Sequence, residues 1–309
     1  MRIFSKVPNI NFMAVRKRGL IASLILTAGA LLLLLTRGLN LGIDFTGGVL
    51  VEVQYPQTIE LEKVRGDLGK AGYEHPVVQY FGGTSDVLIR LPPSKETNQA
   101  KISTAILDAL GSSTQGIQLR RIEFVGPQVG DELTTNGGLA MLMAFIGIGF
   151  YIMFRFEYKF ALGAIAALIH DALMVMGFLS AFWIEFDLTT LAAILALIGY
   201  SNNETIVIFD RVRENLINIR RGEVLDIVNL SVNQTLLRSI ITHLTTLLVC
   251  TSLYFLGGAS VHSFSIAMIV GVIVATYSSI YISTNLAVAL GVSRDDLLPP
   301  KTEGADERP

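Results

Sequence analysis

His170, Asp171, Glu204 and His243 lie inside long apolar runs, where an ionisable group is costly and marks a functional candidate. A carboxyl group taken out of water loses the solvation that favours its charged form. It can then gain and release a proton where an exposed carboxylate stays ionised, so the chemistry on offer is proton exchange. Tyr200, Ser201, Asn202 and Asn203 run directly into Glu204, and Tyr200 sits one helical turn before it. Gly163, Ala167 and Asp171 recur at four-residue spacing, as do Gly271, Ala275 and Ser279. Small faces let helices approach closely and keep polar groups off lipid. The spacing therefore predicts a tight core that presents Asp171, Glu204 and the asparagines to one another. The plainer alternative is that these groups only hydrogen-bond helix to helix. Asp210 is expected to pair with Arg211 or Arg213 at the end of the same run.

The elements that must position these groups are membrane spans. The chain is 51% hydrophobic and only 16% charged, against about 25% charged in a soluble domain. Apolar segments at 19–37, 135–154, 160–183, 188–209, 239–257 and 263–292 approach or exceed the ~20 residues that cross a bilayer. The first, preceded by Arg16, Lys17 and Arg18, has no small-residue cleavage site after it and reads as an uncleaved signal anchor. Lys6, Arg155, Lys159, Arg220, Arg221, Arg238, Arg294 and Lys301 add basic charge to alternate connections. The positive-inside rule then puts segment 1–18, the loop 210–238 and the tail 293–309 in the cytoplasm. The 210–238 loop has Val212, Leu216, Ile219, Leu225 and Val228 at helical spacing and reads as an amphipathic helix on the membrane surface. Arg37, at the start of the large domain, is the main exception to the rule.

Segment 38–134 lies opposite the termini and reads as a water-exposed α+β domain. Alternation at 49–55, helical spacing at 59–70, strands at 76–81 and 87–91, a helix capped by Ser94 and a strand at 117–125 give the order β-α-β-β-α-β. Gly82 and Gly83 supply a turn. That order is ferredoxin-like. Two glycine-rich junctions join the domain to the spans, and Gly42, Gly47, Gly48, Gly126 and Gly130 are candidate hinges because glycine opens backbone angles closed to other residues.

Several function classes are excluded or disfavoured. There is no phosphate loop and no His-Glu-x-x-His. His75 is a loop histidine, and no His/Cys cluster points to a metal. The single cysteine, Cys250, cannot form an internal disulfide. A net charge of -2 offers no field for nucleic acid.

The motifs Gly42-Ile43-Asp44-Phe45-Thr46-Gly47-Gly48, Val125-Gly126-Pro127, His170-Asp171, Ile198-Gly199-Tyr200-Ser201 and Asp210-Arg211-Val212-Arg213-Glu214-Asn215 occur together and in this order. In that combination the chain resembles the SecF branch of the SecD/SecF protein-export family, over nearly its whole length. The resemblance implies half of an RND-type transporter, with six helices and one exported domain. It implies an inner-membrane subunit that pairs with SecD, works with the SecYEG channel and YajC, and uses the proton gradient to draw preproteins across. Protons are the coupling ion and no other cofactor is implied. It places a relay carboxylate at Glu204, where the family often has Asp, and gives Asp171 a supporting role. A small-solute exporter and a passive assembly scaffold are the rival readings.

Overall fold

The computed structural model describes residues 8–73, 76–81, 83–93, 99–111 and 116–297. Lys6, His75, Gly82, Ser94, Lys301 and the tail beyond 297 lie outside those residues. Six helical stretches among the described residues are long and apolar enough to cross a membrane.

The α+β domain follows from strict alternation along its central strand. In β2 (Gly48–Gln54), Val49, Val51 and Val53 are buried while Leu50, Glu52 and Gln54 are partly exposed. A period of two lays one residue set on one face of a sheet. Helices α3 (Leu61–Lys70) and α4 (Gln99–Ala109) contribute Val64, Leu68, Ile102 and Ile106 to the same apolar core. With β3 (Val77–Phe81), β4 (Gly83–Leu91) and β5 (Gln118–Val125), the sheet order is β3-β4-β2-β5, all antiparallel. This is the ferredoxin-like arrangement that the element order predicts. Val51 sits opposite Ile89 on one side and Ile122 on the other.

The membrane bundle has an inner and an outer set of helices. The inner set is α6 (Tyr158–Phe182), α7 (Leu188–Asn218) and α9 (His262–Ser278), each more than half buried along its apolar window. The outer set is α1 (Arg16–Thr36), α5 (Pro127–Arg155) and α8 (Val224–Leu256), whose apolar surfaces face outward. Small residues permit the close crossings. A Cβ on Gly163 would lie 2.5 Å from the Ser283 carbonyl, and one on Gly177 would collide with Ala30. After α9 the chain makes a π-helical turn at Ser279–Ser283 before α10 (Thr284–Ala289).

Two expected boundaries need correction. α5 begins at Pro127 rather than at 135, because proline at the first helical position has its backbone preset for a helix. The 210–238 segment is not a separate surface helix. α7 runs on to Asn218 and α8 starts at Val224, leaving only a short turn. Val212, Leu216 and Val228 are buried in the core instead of facing lipid headgroups. At 33 residues α8 is roughly 50 Å long, well beyond a hydrocarbon layer.

The domain is tied to the bundle by several contacts. Strand β1 (Asn40–Leu41) pairs in parallel with β6 (Glu185–Phe186), in the turn between α6 and α7. The single-turn helix α2 (Ile43–Thr46) packs against α5, and Phe45 lies 5.6 Å from Phe186. Arg90 on β4 forms a 2.6 Å ion pair with Glu185. Arg37 stacks over Trp183 at 4.6 Å and donates to the Ala181 carbonyl, which gives this off-pattern cation a structural partner.

Candidate functional site

Asp171 is 1% exposed and sits at mid-length on α6. Both of its oxygens are held. The His170 Nδ1 lies 2.9 Å from Oδ1. Ser201 of α7 and Ser278 of α9 donate to Oδ2 at 2.5 and 2.8 Å. One carboxyl group thus fastens the three inner helices together. Ser278 is the last residue of α9 before the π-helical turn, a device found often at functional sites.

Glu204 forms a second, separate centre. It is 7% exposed, and Ser239 of α8 donates to its Oε1. Its Oε2 faces the Nε2 of His243 at 3.7 Å, beyond hydrogen-bond length. His243 Nδ1 lies 2.9 Å from Thr276 Oγ1 on α9, and its ring centre lies 5.5 Å from that of Tyr200. This centre therefore spans α7, α8 and α9. No hydrogen bond joins Asp171 to Glu204. The expected single cluster resolves into two, because Ser201 and Glu204 leave α7 toward different neighbours.

The asparagines divide. Asn202 is 8% exposed and its Oδ1 has no partner among the described residues, whereas Asn203 points outward and is exposed. Further along α7, Asp210 takes its ion pair from Arg155 of α5 at 3.0 Å, not from Arg211 or Arg213. On a helix, neighbours one and three apart compete with a cation from a facing helix, and here the facing helix wins. Arg211 bonds Gln234 and Glu214, and Arg213 pairs with Glu157 at 3.3 Å.

The five junction glycines also divide. Gly47 and Gly48 have φ of 69° and 128°, in the left-handed region, and a Cβ on Gly48 would strike the Leu91 carbonyl. A Cβ on Gly42 would lie 2.9 Å from Glu185, and one on Gly130 would lie 2.9 Å from the Gly47 nitrogen. Gly126 has open space around it.

Ser239, Thr276 and Ser278 belong to the site but carry no signal in the sequence. Serine and threonine commonly bond their own helix, as Thr276 does to the Val272 carbonyl. No group of three or more potential ligands among the described residues is placed to hold a metal ion.

Residues 105–293 match the family model for the SecD/SecF protein export membrane protein, C-terminal part, and residues 32–59 match the SecD/SecF GG motif. The chain is 50% identical to a protein translocase subunit SecF from Pseudomonas aeruginosa, over 98% of this chain and 99% of that one. It is 43% identical to the SecF of Escherichia coli O157:H7, over 93% of this chain and 90% of that one. Among solved structures it is similar to a Thermus SecDF described as a translocon-associated membrane protein, with TM-score 0.85 and 36% identity. That match covers 93% of this chain and 39% of the SecDF chain.

Proposed function

Because the chain belongs to the SecD/SecF family of protein-export membrane proteins, we propose that it is a SecF-type translocase subunit that pairs with SecD and couples the proton gradient to preprotein export. The observation that carries this reading is Glu204, a carboxyl group buried within the bundle with one oxygen not taken up by a hydrogen bond. A passive scaffold has no use for such a group, whose burial without full pairing is costly. Protonation at Glu204 removes a charge from between α7, α8 and α9. That alters the favoured packing of the three helices. α7 begins at the turn carrying β6, and β6 is paired with β1 of the α+β domain, so a shift in α7 reaches the domain directly.

SecD supplies the second half in this reading. The SecDF chain is more than twice as long as the part this chain matches, which fits a partner of similar build. The outward apolar faces of α5 and α8, including Phe150, Met153, Leu244 and Leu248, supply surface for that half and for lipid. SecYEG, YajC and the emerging preprotein complete the set of partners. Under the positive-inside rule the basic residues Arg16, Lys17, Arg18, Arg155, Lys159, Arg220, Arg221 and Arg294 support a topology with both termini in the cytoplasm and the α+β domain in the periplasm of an inner membrane. Gly126 and its neighbours serve as the flexible connection in this scheme, and Asp171 holds the inner helices in register.

The test is preprotein export into inverted membrane vesicles carrying this chain and its SecD partner, with and without a proton gradient. Glu204→Gln keeps size and polarity and cannot ionise. Loss of the gradient-dependent stimulation at matched complex abundance is the expected result. Unchanged stimulation overturns the reading and leaves a scaffold.

A further inference from the structure

The histidine facing Glu204 is not needed to hold the helices together through that carboxylate, since Ser239 already bonds it. Its geometry fits another use. Thr276 has a single hydroxyl proton, and the Val272 carbonyl one turn back on the same helix, 2.8 Å away, is its ordinary acceptor. In that arrangement the Thr276 oxygen, 2.9 Å from Nδ1, accepts from His243, and the neutral ring's proton sits on Nδ1. The lone pair is left on Nε2. That atom is buried and has no hydrogen-bond partner, and it looks across 3.7 Å at Glu204 Oε2.

We propose that His243 is the proton-exchange partner of Glu204, so that the two side chains together form one proton site. The proposal rests on the reading of Glu204 as a relay. In the step, the Glu204 Oε2–H bond breaks and the His243 Nε2–H bond forms. A neutral acid and a neutral imidazole become a carboxylate and an imidazolium, with no change in total charge. The gap must close by about 1 Å to reach charge-assisted hydrogen-bond length. A small slide of α8 against α7 does this, so helix movement and proton transfer become one event. Thr276 fixes the ring's orientation and tautomer, as a hydrogen-bonded second nitrogen generally does.

Among the described residues, the groups around the imidazole leave Glu204 as its only acid partner. α7 contributes Glu204 and Tyr200, and α9 contributes Thr276. On α8 itself Arg238 is exposed. His170 and Asp171 are bonded to each other in the other centre.

The same vesicle assay tests the pair with His243→Asn, His243→Gln, Glu204→Gln and the double variant His243→Gln with Glu204→Gln. Asn keeps a donor for Thr276 and loses the nitrogen facing Glu204. Gln reaches toward Glu204 without a basic nitrogen. Both variants should lower gradient-dependent stimulation about tenfold or more. Both should also move the pH of half-maximal stimulation by about one unit. The double variant should be no worse than Glu204→Gln alone, because members of one unit are not additive. Wild-type stimulation and an unmoved pH profile in both His243 variants, with Glu204→Gln inactive and complex abundance matched, overturn the pair and leave the relay reading standing. A silent Glu204→Gln overturns the relay reading, and the pair with it.

Discussion

Asp171 and Glu204 are both buried carboxyl groups in the same bundle, yet their surroundings are opposite. Asp171 has a partner on each oxygen, from all three inner helices. Glu204 has one oxygen bonded and the other facing a nitrogen across a gap. A saturated carboxyl group holds structure together, because any movement breaks bonds that water cannot replace. A half-satisfied one is poised to change partner or charge. Burial alone does not distinguish the two roles; the tally of bonds does.

The largest effect should come from breaking the saturated site. Asp171→Ala strands His170, Ser201 and Ser278 at once, and should cost about 3–5 kcal/mol. Thermal unfolding of the purified complex in detergent measures this. Asp171→Asn should cost less, since the amide oxygen can still accept from Ser201 or Ser278. If Asp171→Ala unfolds no earlier than Glu204→Gln, the contrast between the sites is wrong.

Gly163 sharpens the same point from the backbone side. It lies against the π-helical turn that follows Ser278, with the Ser283 carbonyl 2.5 Å from where a Cβ would stand. Gly163→Ala should destabilise by about 1–3 kcal/mol through overpacking. It should also disturb Asp171 through Ser278 while sparing Glu204, so gradient coupling per folded complex should survive. Measuring export and melting temperature on the same preparation separates the two.

Glu185 is an intermediate case, a carboxylate at the junction with one strong partner, Arg90. Burial pushes its titration up, and Arg90 only partly opposes this. Asp44 beside it is also pushed up by burial. The sign follows from linkage: a carboxyl whose folded value lies above its ordinary 4.5 adds stability below that value and loses it as pH rises through the folded value. The junction should therefore tighten as pH falls from neutral toward 4.5. Glu185→Gln should remove part of that pH dependence and leave the Asp44 part, in melting curves across this range. A junction that loosens over the same range contradicts the assignment.

Glu204→Gln should change stability by no more than about 1 kcal/mol, because the amide oxygen still accepts from Ser239. The same variant is expected to abolish gradient coupling. A large functional loss with a small stability change is the signature of the half-satisfied site.

The sequence made some of this legible and hid the rest for physical reasons. Asp171, Glu204 and Ser201 stand out because polar groups in an apolar run demand an explanation. The β-α-β-β-α-β order and the alternation in 49–53 carry the ferredoxin-like domain. Hydropathy failed at 210–238, because helices that continue past the membrane lose their apolar signal without losing their helical structure. The split into two carboxyl centres was also hidden. A four-residue spacing says which residues share a face, but the partner across that face depends on how neighbouring helices are placed. The π-helical turn directly after Ser278 is equally hidden, since no residue in 279–283 announces it.

The smallest expected effect concerns the junction glycines, where the closed-versus-open contrast recurs. Gly48 cannot accept a side chain without moving the Leu91 carbonyl, and Gly47 holds a left-handed backbone, so both are fixed by packing and conformation. Gly126 has an ordinary φ of -68° and open space where a Cβ would stand. Gly126→Ala should therefore alter stability by no more than about 0.5 kcal/mol in either direction. If the proposed coupling bends the chain at this point during export, the same change should slow gradient-driven export several-fold while the melting temperature stays put. Should export be unchanged as well, the bending lies elsewhere. The packed lead-in, with Gly42, Gly47 and Gly48, then moves with the domain as one body, and the motion passes through the β1–β6 pair to α7.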